Sequence, residues 1–162
     1  MTHEPRLTQE LRALLKMQRV AALGTTGDDG APFVSMVPYA IEQQMPCLVI
    51  HVSGLAAHTR HLQARERVSL MVMQAEIAGE PVHALQRVTL EGVAKAAERG
   101  SRQWAACRAT YLARFPEVEP MTELGDFMFV AVHVTAGRHV AGFGVARSID
   151  KDEINRALGA TG

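Results

Sequence analysis

Apolar residues at Leu7, Leu11, Leu14 and Leu15 recur at the spacing of one helix face, so the chain is expected to open with an amphipathic helix over Leu7–Met17. Short apolar runs punctuated by turn residues follow. Val20 to Thr25 reads as a strand, Gly27-Asp28-Asp29-Gly30 as a tight turn, and Pro32 to Ile41 as a second strand, together a hairpin. A polar break from Glu42 to Pro46 leads into a third strand, Cys47 to Val52. A turn and a short helix fill Ser53 to Ala64. Val68 to Met73 is the fourth strand, Ala75 to Ala84 a loop with Gly79 and Pro81, and Gln86 to Ala96 the fifth strand.

Ser101 is placed to cap a helix running to about Phe115, where Pro116 stops it. Polar and acidic residues from Glu117 to Asp126 connect it to a sixth strand, Phe127 to Thr135. Ala136-Gly137 is expected to turn the chain into a last strand, His139 to Ala146, and Asp150 to Gly162 to form a short helix or a frayed end. Six or seven strands joined mostly by short turns, with about three helices, do not make the regular alternation of a parallel sheet. The fold class expected is mainly β, a closed or partly closed antiparallel barrel with peripheral helices. Neither GxGxxG after the first strand nor GxxxxGK[ST] is present, which excludes the common dinucleotide and P-loop folds.

The 162 residues, 48% of them hydrophobic and free of repeats, are expected to form a single domain over 1–162 with its core at about 7–149. Lys plus Arg and Asp plus Glu balance at 17 each, so net charge argues for neither nucleic acid nor a membrane surface as partner. Cys47 and Cys107 are too few for a disulfide framework and read as reduced thiols of a cytoplasmic protein. The N-terminus shows no apolar leader, and no run approaches the ~18 apolar residues of a membrane span.

Candidate chemistry gathers after the third strand. Ser53, His58, Thr59 and Arg60 stand where a helix begins, and the unpaired N–H groups and positive dipole end of a helix start, with a guanidinium beside them, suit a phosphate. A plain loop and helix, with Thr59 as N-cap and Arg60 solvated, fits the same spacing. In PFVSMVPYAI, alternation puts Phe33, Ser35, Val37 and Tyr39 on one face. Pro38 cannot donate to a ladder, which places this strand at an edge, a bulge or a barrel opening and leaves backbone groups of Met36 and Val37 free for a heteroaromatic ring.

His58 and His61 are three apart, but no carboxylate or cysteine stands at a matching spacing, so no metal site is assigned. His133 is expected as a hydrogen-bonded core residue, His51 on a strand face with Ser53, and His3 and His83 at the surface. Arg138 and His139 precede Gly142-Phe143-Gly144, where small residues permit close approach of a ligand or second subunit. No nucleophile with a base and an orienting acid is found, and no catalytic residue is assigned; any catalysis would rest on a bound cofactor.

The segments GAPFVSMVPYAI, LVIHVSGLAAHTRHLQARERVSLMV, QRVTLEG and YLARFPEVEPMTELGDFMFVAVHVTAGRHVAGFGVA resemble the pyridoxamine 5'-phosphate oxidase-like FMN-binding split barrels, in the branch of the haem-utilisation (HugZ-like) proteins. The resemblance implies a six-stranded Greek-key barrel and a homodimer holding FMN in clefts between subunits. It places Ser35, Met36 and Val37 along the flavin with Tyr39 close by, Ser53, His58, Thr59 and Arg60 at the phosphate, Arg87 near the cofactor, and Arg138 and His139 near the dimer interface. The Ser-Arg-Lys run and the C-terminal tryptophan and arginine motif of the true oxidases are missing, which argues against vitamin B6 oxidation. Three functions follow: an FMN-dependent oxidoreductase of unassigned substrate, a haem-binding or haem-degrading protein with His133 or His139 as ligand, and a non-catalytic module for flavin or a deazaflavin.

Overall fold

The computed structural model describes residues 4–160, so the placement of His3 and the end of the Asp150–Gly162 tail lie outside it. Its elements in chain order are α1 (Arg6–Met17), β1 (Val20–Thr26), β2 (Pro32–Pro38), β3 (Ala40–Glu42), β4 (Cys47–Ser53), α2 (Ala57–Ala64), β5 (Arg67–Met73), β6 (Arg87–Ala96), α3 (Arg102–Arg114), β7 (Phe127–Gly142), β8 (Val145–Asp150) and α4 (Lys151–Leu158). The strands form one antiparallel sheet in the order β2-β1-β5-β6-β7-β4-β3, with β8 added beside β7. This is a mainly β split barrel with peripheral helices, as expected, with eight strands rather than six.

One difference from the expected elements adds a strand to the seven read along the chain, and a second moves a turn without changing the count. Pro32 to Ile41 is not one strand: it breaks at Tyr39, whose N–H leaves the ladder to donate to the Arg19 carbonyl at 3.1 Å. Pro38, without an N–H, marks the break. Strands β2 and β3 are the two ends of the sheet path, so this single residue ties the ends together and curls the sheet on itself. Nor does the chain turn at Ala136-Gly137. Strand β7 runs through it for 16 residues, and Gly137 serves close packing instead: a Cβ there would lie 2.9 Å from the Thr89 carbonyl oxygen and 3.0 Å from Ile149. The turn falls at Gly142-Phe143-Gly144, where both glycines have positive φ, at 148° and 78°.

Alternation divides the sheet residues between two cores. Leu23, Ile50, Leu70, Leu90, Val130 and Val132 fill the barrel, closed at one end by Leu11, Leu14 and Leu15 of α1 and by Ile154 and Leu158 of α4. Each such large aliphatic side chain contributes on the order of 1.5–3 kcal/mol of burial. The tail is therefore docked, not frayed: Asp150 caps α4 through the Glu153 N–H, and Arg12 of α1 donates to the Arg156 and Gly159 carbonyls at its end. A second core lies outside the barrel, where Cys107 and Tyr111 of α3, with Phe115 just after it, cover Val49, Phe129 and Ala131. Ser101 caps α3 as expected, accepting from the Trp104 N–H at 3.1 Å.

Candidate functional site

Strand β4 delivers the chain to α2 through a tight turn. The Ser53 hydroxyl accepts from the Leu55 N–H at 3.2 Å, the Ser53 carbonyl from the Ala56 N–H at 3.1 Å, and the helix begins at Ala57. The N-cap is Ala56, with no side chain bonded to the first turn. Thr59 lies inside the helix, fully buried, with its hydroxyl unpartnered. The N–H groups of Ala57 and His58 thus keep their capacity for an external acceptor, while the Thr59 N–H donates to the Ala56 carbonyl at 3.2 Å. Arg60 is exposed and makes no ion pair among the described residues.

The fold brings the second strand onto this helix start. The Ser35 hydroxyl lies 2.9 Å from Nδ1 of His58, and one turn further on Thr25 Oγ1 lies 3.1 Å from Nδ1 of His61. The Phe33 ring meets His61 edge-on at 5.2 Å. Burial, and then the neighbouring His61, hold the His58 pKa below its ordinary value, so the ring is neutral near pH 7. Its Nε2 makes no hydrogen bond among the described residues, while Ser35 fixes the ring orientation through the other nitrogen.

The remaining expected residues divide between the sides of the sheet. Val37 and Tyr39 are interior; the Tyr39 hydroxyl donates to the Leu15 carbonyl at 2.7 Å, and burial raises its pKa far above normal. His139 is fully buried, its Nδ1 3.3 Å from Arg147 Nη2, and Arg147 in turn grips Glu153 through both nitrogens at 2.8 and 2.7 Å. Met36, Arg87 and Arg138 belong to the outer face. Pairing runs Met36–Ala22–Met71–Thr89–Arg138 across five strands, one lateral row. Arg87 bends back to donate to the Leu85 carbonyl at 2.9 Å.

Four features escaped the sequence. Val34, Met36, Met71 and Met73 form an exposed apolar strip on the outer face of β2 and β5, with Met36 64% exposed. Alternation in SLMVM puts Met71 and Met73 on one face, but only the register shows what they join. His51 sits among rings, with centroids at 4.5 Å to Phe129, 5.0 Å to Phe127 and 5.7 Å to Tyr111, and burial lowers its pKa to about 4. His133, expected as a bonded core residue, is instead half-buried and lines a groove of about 950 Å³ between α3 and the β3–β4 turn. Cys47 and Cys107 are free and buried beside it, their pKa values raised by burial to about 12 and about 11. Among the described residues no three His, Cys, Asp or Glu side chains converge as a metal site, and no helix is long and apolar enough to cross a membrane.

The family model for pyridoxamine 5'-phosphate oxidase matches residues 7–141. The chain belongs to the pyridoxamine 5'-phosphate oxidase family. Two relatives within that family are haem oxygenases. It is 30% identical over 150 residues to the haem oxygenase HutZ of Vibrio cholerae, covering 92% of this chain and 84% of that one. The chloroplastic haem oxygenase HOZ of Arabidopsis thaliana is 31% identical over 141 residues, 85% of this chain and 41% of HOZ. Among solved structures, a haem-binding protein from Mycobacterium smegmatis superposes with a TM-score of 0.84 at 28% identity, over 96% of this chain and 62% of the mycobacterial one. These matches place the chain in the haem-utilisation branch of the pyridoxamine 5'-phosphate oxidase family.

Proposed function

We propose that this member of the pyridoxamine 5'-phosphate oxidase family binds haem, as a haem-degrading or haem-holding protein, rather than acting as an FMN-dependent oxidoreductase. The observation that carries this reading is the match to HutZ along 92% of the chain, since it covers the barrel and α2 together. The corner between β2 and α2 suits the ligand. His58 is neutral and oriented by Ser35, with Nε2 unbonded, so it is the residue that would hold the haem iron. The N–H groups of Ala57 and His58 and the guanidinium of Arg60 would supply donors for a propionate. Haem brings the iron and is itself the molecule cut in a haem oxygenase; this chain orients it and shields one face.

Only one wall of such a cleft is present in a single chain. The exposed strip of Val34, Met36, Met71 and Met73 is the kind of surface that a second subunit covers, and a homodimer would bring a second wall to the corner. The deciding experiment is a haemin titration of the wild type and of His58→Ala. A Soret band that saturates in the wild type and shifts or vanishes in the variant is expected; an identical band in both removes His58 from the site.

The flavin reading keeps one supporting observation. An uncapped helix start beside Arg60 serves a phosphate as well as a propionate. FMN titration of Arg60→Ala, with a tenfold or greater loss of affinity, would support it at ~1.4 kcal/mol per decade.

A further inference from the structure

A groove runs along the outside of α3, on the side of the barrel where β3, β4 and β7 present their outer face. Its larger part, about 950 Å³, is lined by Cys47, Ala131 and His133 below and by Ala106 and Ala109 of α3 above. A second hollow of about 580 Å³ continues from it, sharing Ile41, Gln43, Thr110 and Ala113, and ends at Lys16, Arg19 and Arg114. The two are one continuous channel. It stretches along α3 from Arg102 to Arg114, thirteen residues separated by twelve rises and so about 18 Å of helix.

The channel is apolar in its length and cationic at its end. Thr110 bonds its one lining carboxylate, Glu42, which also accepts from the Gln44 N–H at 2.9 Å. Against it stand Lys16, Arg19, Arg114 and Arg102. Lys16 is in the last turn of α1 and Arg114 in the last turn of α3, where each offsets about half a negative charge of a helix end. Arg19 has only a loose contact with Glu117, at 3.9 Å between exposed side chains. Lys16, Arg19 and Arg114 face a hollow that no carboxylate of the described residues lines; Glu42 lines only the larger part, and Glu117 and the two helix ends offset these cations from outside. Arg114 is held in place, donating to the Lys16 and Gln18 carbonyls with its guanidinium 5.2 Å above the Tyr39 ring.

The geometry points to a second binding site along α3 for a tetrapyrrole dicarboxylate, its body against Ala106, Ala109 and Ala113 and its carboxylates at Lys16, Arg19 and Arg114. This assignment rests on the reading of the protein as one that handles haem, but it concerns a different surface from the β2–α2 corner and needs no iron. The site would hold a tetrapyrrole before or after it occupies that corner. An apolar body with paired carboxylates is what an open groove lined by Ala106, Ala109 and Ala113, with basic side chains at its end, selects over a neutral or cationic ligand.

Metal-free protoporphyrin IX tests the assignment, because without iron it gains nothing from His58. Binding is followed by quenching of Trp104, the one tryptophan of the chain, which lies on α3. Saturable quenching is expected in the wild type. The double variant Lys16→Glu with Arg19→Glu should weaken it at least tenfold, and Ala109→Phe, which fills the channel from the helix side, should do the same. Both variants should keep the wild-type melting temperature and the His58-dependent part of the haemin Soret change, while His58→Ala should keep the porphyrin affinity. Absent quenching in the wild type, unchanged affinity in the charge-reversed chain, or loss in His58→Ala instead would each overturn the second site. Palmitate saturating the channel where protoporphyrin does not would overturn it too, in favour of a fatty acid. Failure of the haem reading looks different: a haemin Soret change that His58→Ala leaves untouched, with porphyrin binding at α3 intact.

Discussion

The Ser35 hydroxyl and Nδ1 of His58 meet at 2.9 Å across 23 residues of chain, joining the edge strand β2 to the first turn of α2. A net hydrogen bond of this kind is worth ~0.5–1.5 kcal/mol. Ser35→Ala frees the imidazole to rotate, so haemin affinity should fall by about three- to tenfold at ~1.4 kcal/mol per decade. The melting temperature should stay close to wild type, because Ser35 is only half-buried. A haemin titration alongside a thermal melt separates the two effects.

His51 makes the fold acid-sensitive. Its folded pKa of about 4 lies below the ordinary 6.5, chiefly through burial and secondarily through Arg99. Between those values the unfolded chain binds a proton that the folded chain refuses, so stability falls as pH drops from about 6.5 toward 4 and then levels. Allowing for partial solvent access, the loss is on the order of 2 kcal/mol. His51→Phe keeps a ring among Phe127, Phe129 and Tyr111 without the titration. Urea midpoints at pH 8 and pH 5 should differ less in this variant than in the wild type.

Gly137 is a packing glycine. An alanine Cβ would come within 2.9 Å of the Thr89 carbonyl oxygen and 3.0 Å of Ile149, so β6 or β8 must move. Gly137→Ala should cost about 1–3 kcal/mol, as overpacking does. Gly125→Ala meets nothing within 4 Å and has no positive φ, so it should stay within about 0.5 kcal/mol of wild type. Equal midpoints for the two variants in urea would contradict this account of β7.

The outer apolar strip is the expected subunit contact. Met36→Glu places a charge at its centre, between Val34 and the Met71 row, on a side chain 64% exposed in the single chain. A homodimer on this face should dissociate to the monomer mass in light scattering behind gel filtration, with the secondary structure retained. Haemin binding at the β2–α2 corner should weaken in the same variant, since the second wall is lost.

Much of this architecture was legible locally. The helix face of Leu7, Leu11, Leu14 and Leu15, the cap at Ser101, the alternation that turns Val37 and Tyr39 inward, and the strand starts at Val20, Pro32 and Cys47 depend on neighbours a few residues away, where periodicity and capping act. The sequence by itself therefore determined the class of fold, the strand-to-helix junction after β4, and which residues of β2 face the core. Three things belonged to the tertiary structure. Gly137 passes straight through a ladder instead of turning it, because only β6 and β8 on either side require a missing side chain there. Tyr39 breaks a strand and closes the barrel, because its ring and hydroxyl are claimed by the core and by Leu15 of α1. The meeting of Ser35 with His58, and of Lys16, Arg19 and Arg114 at one end of the α3 channel, arises from the curl of an eight-stranded sheet, and curl follows from long-range register that no local pattern carries.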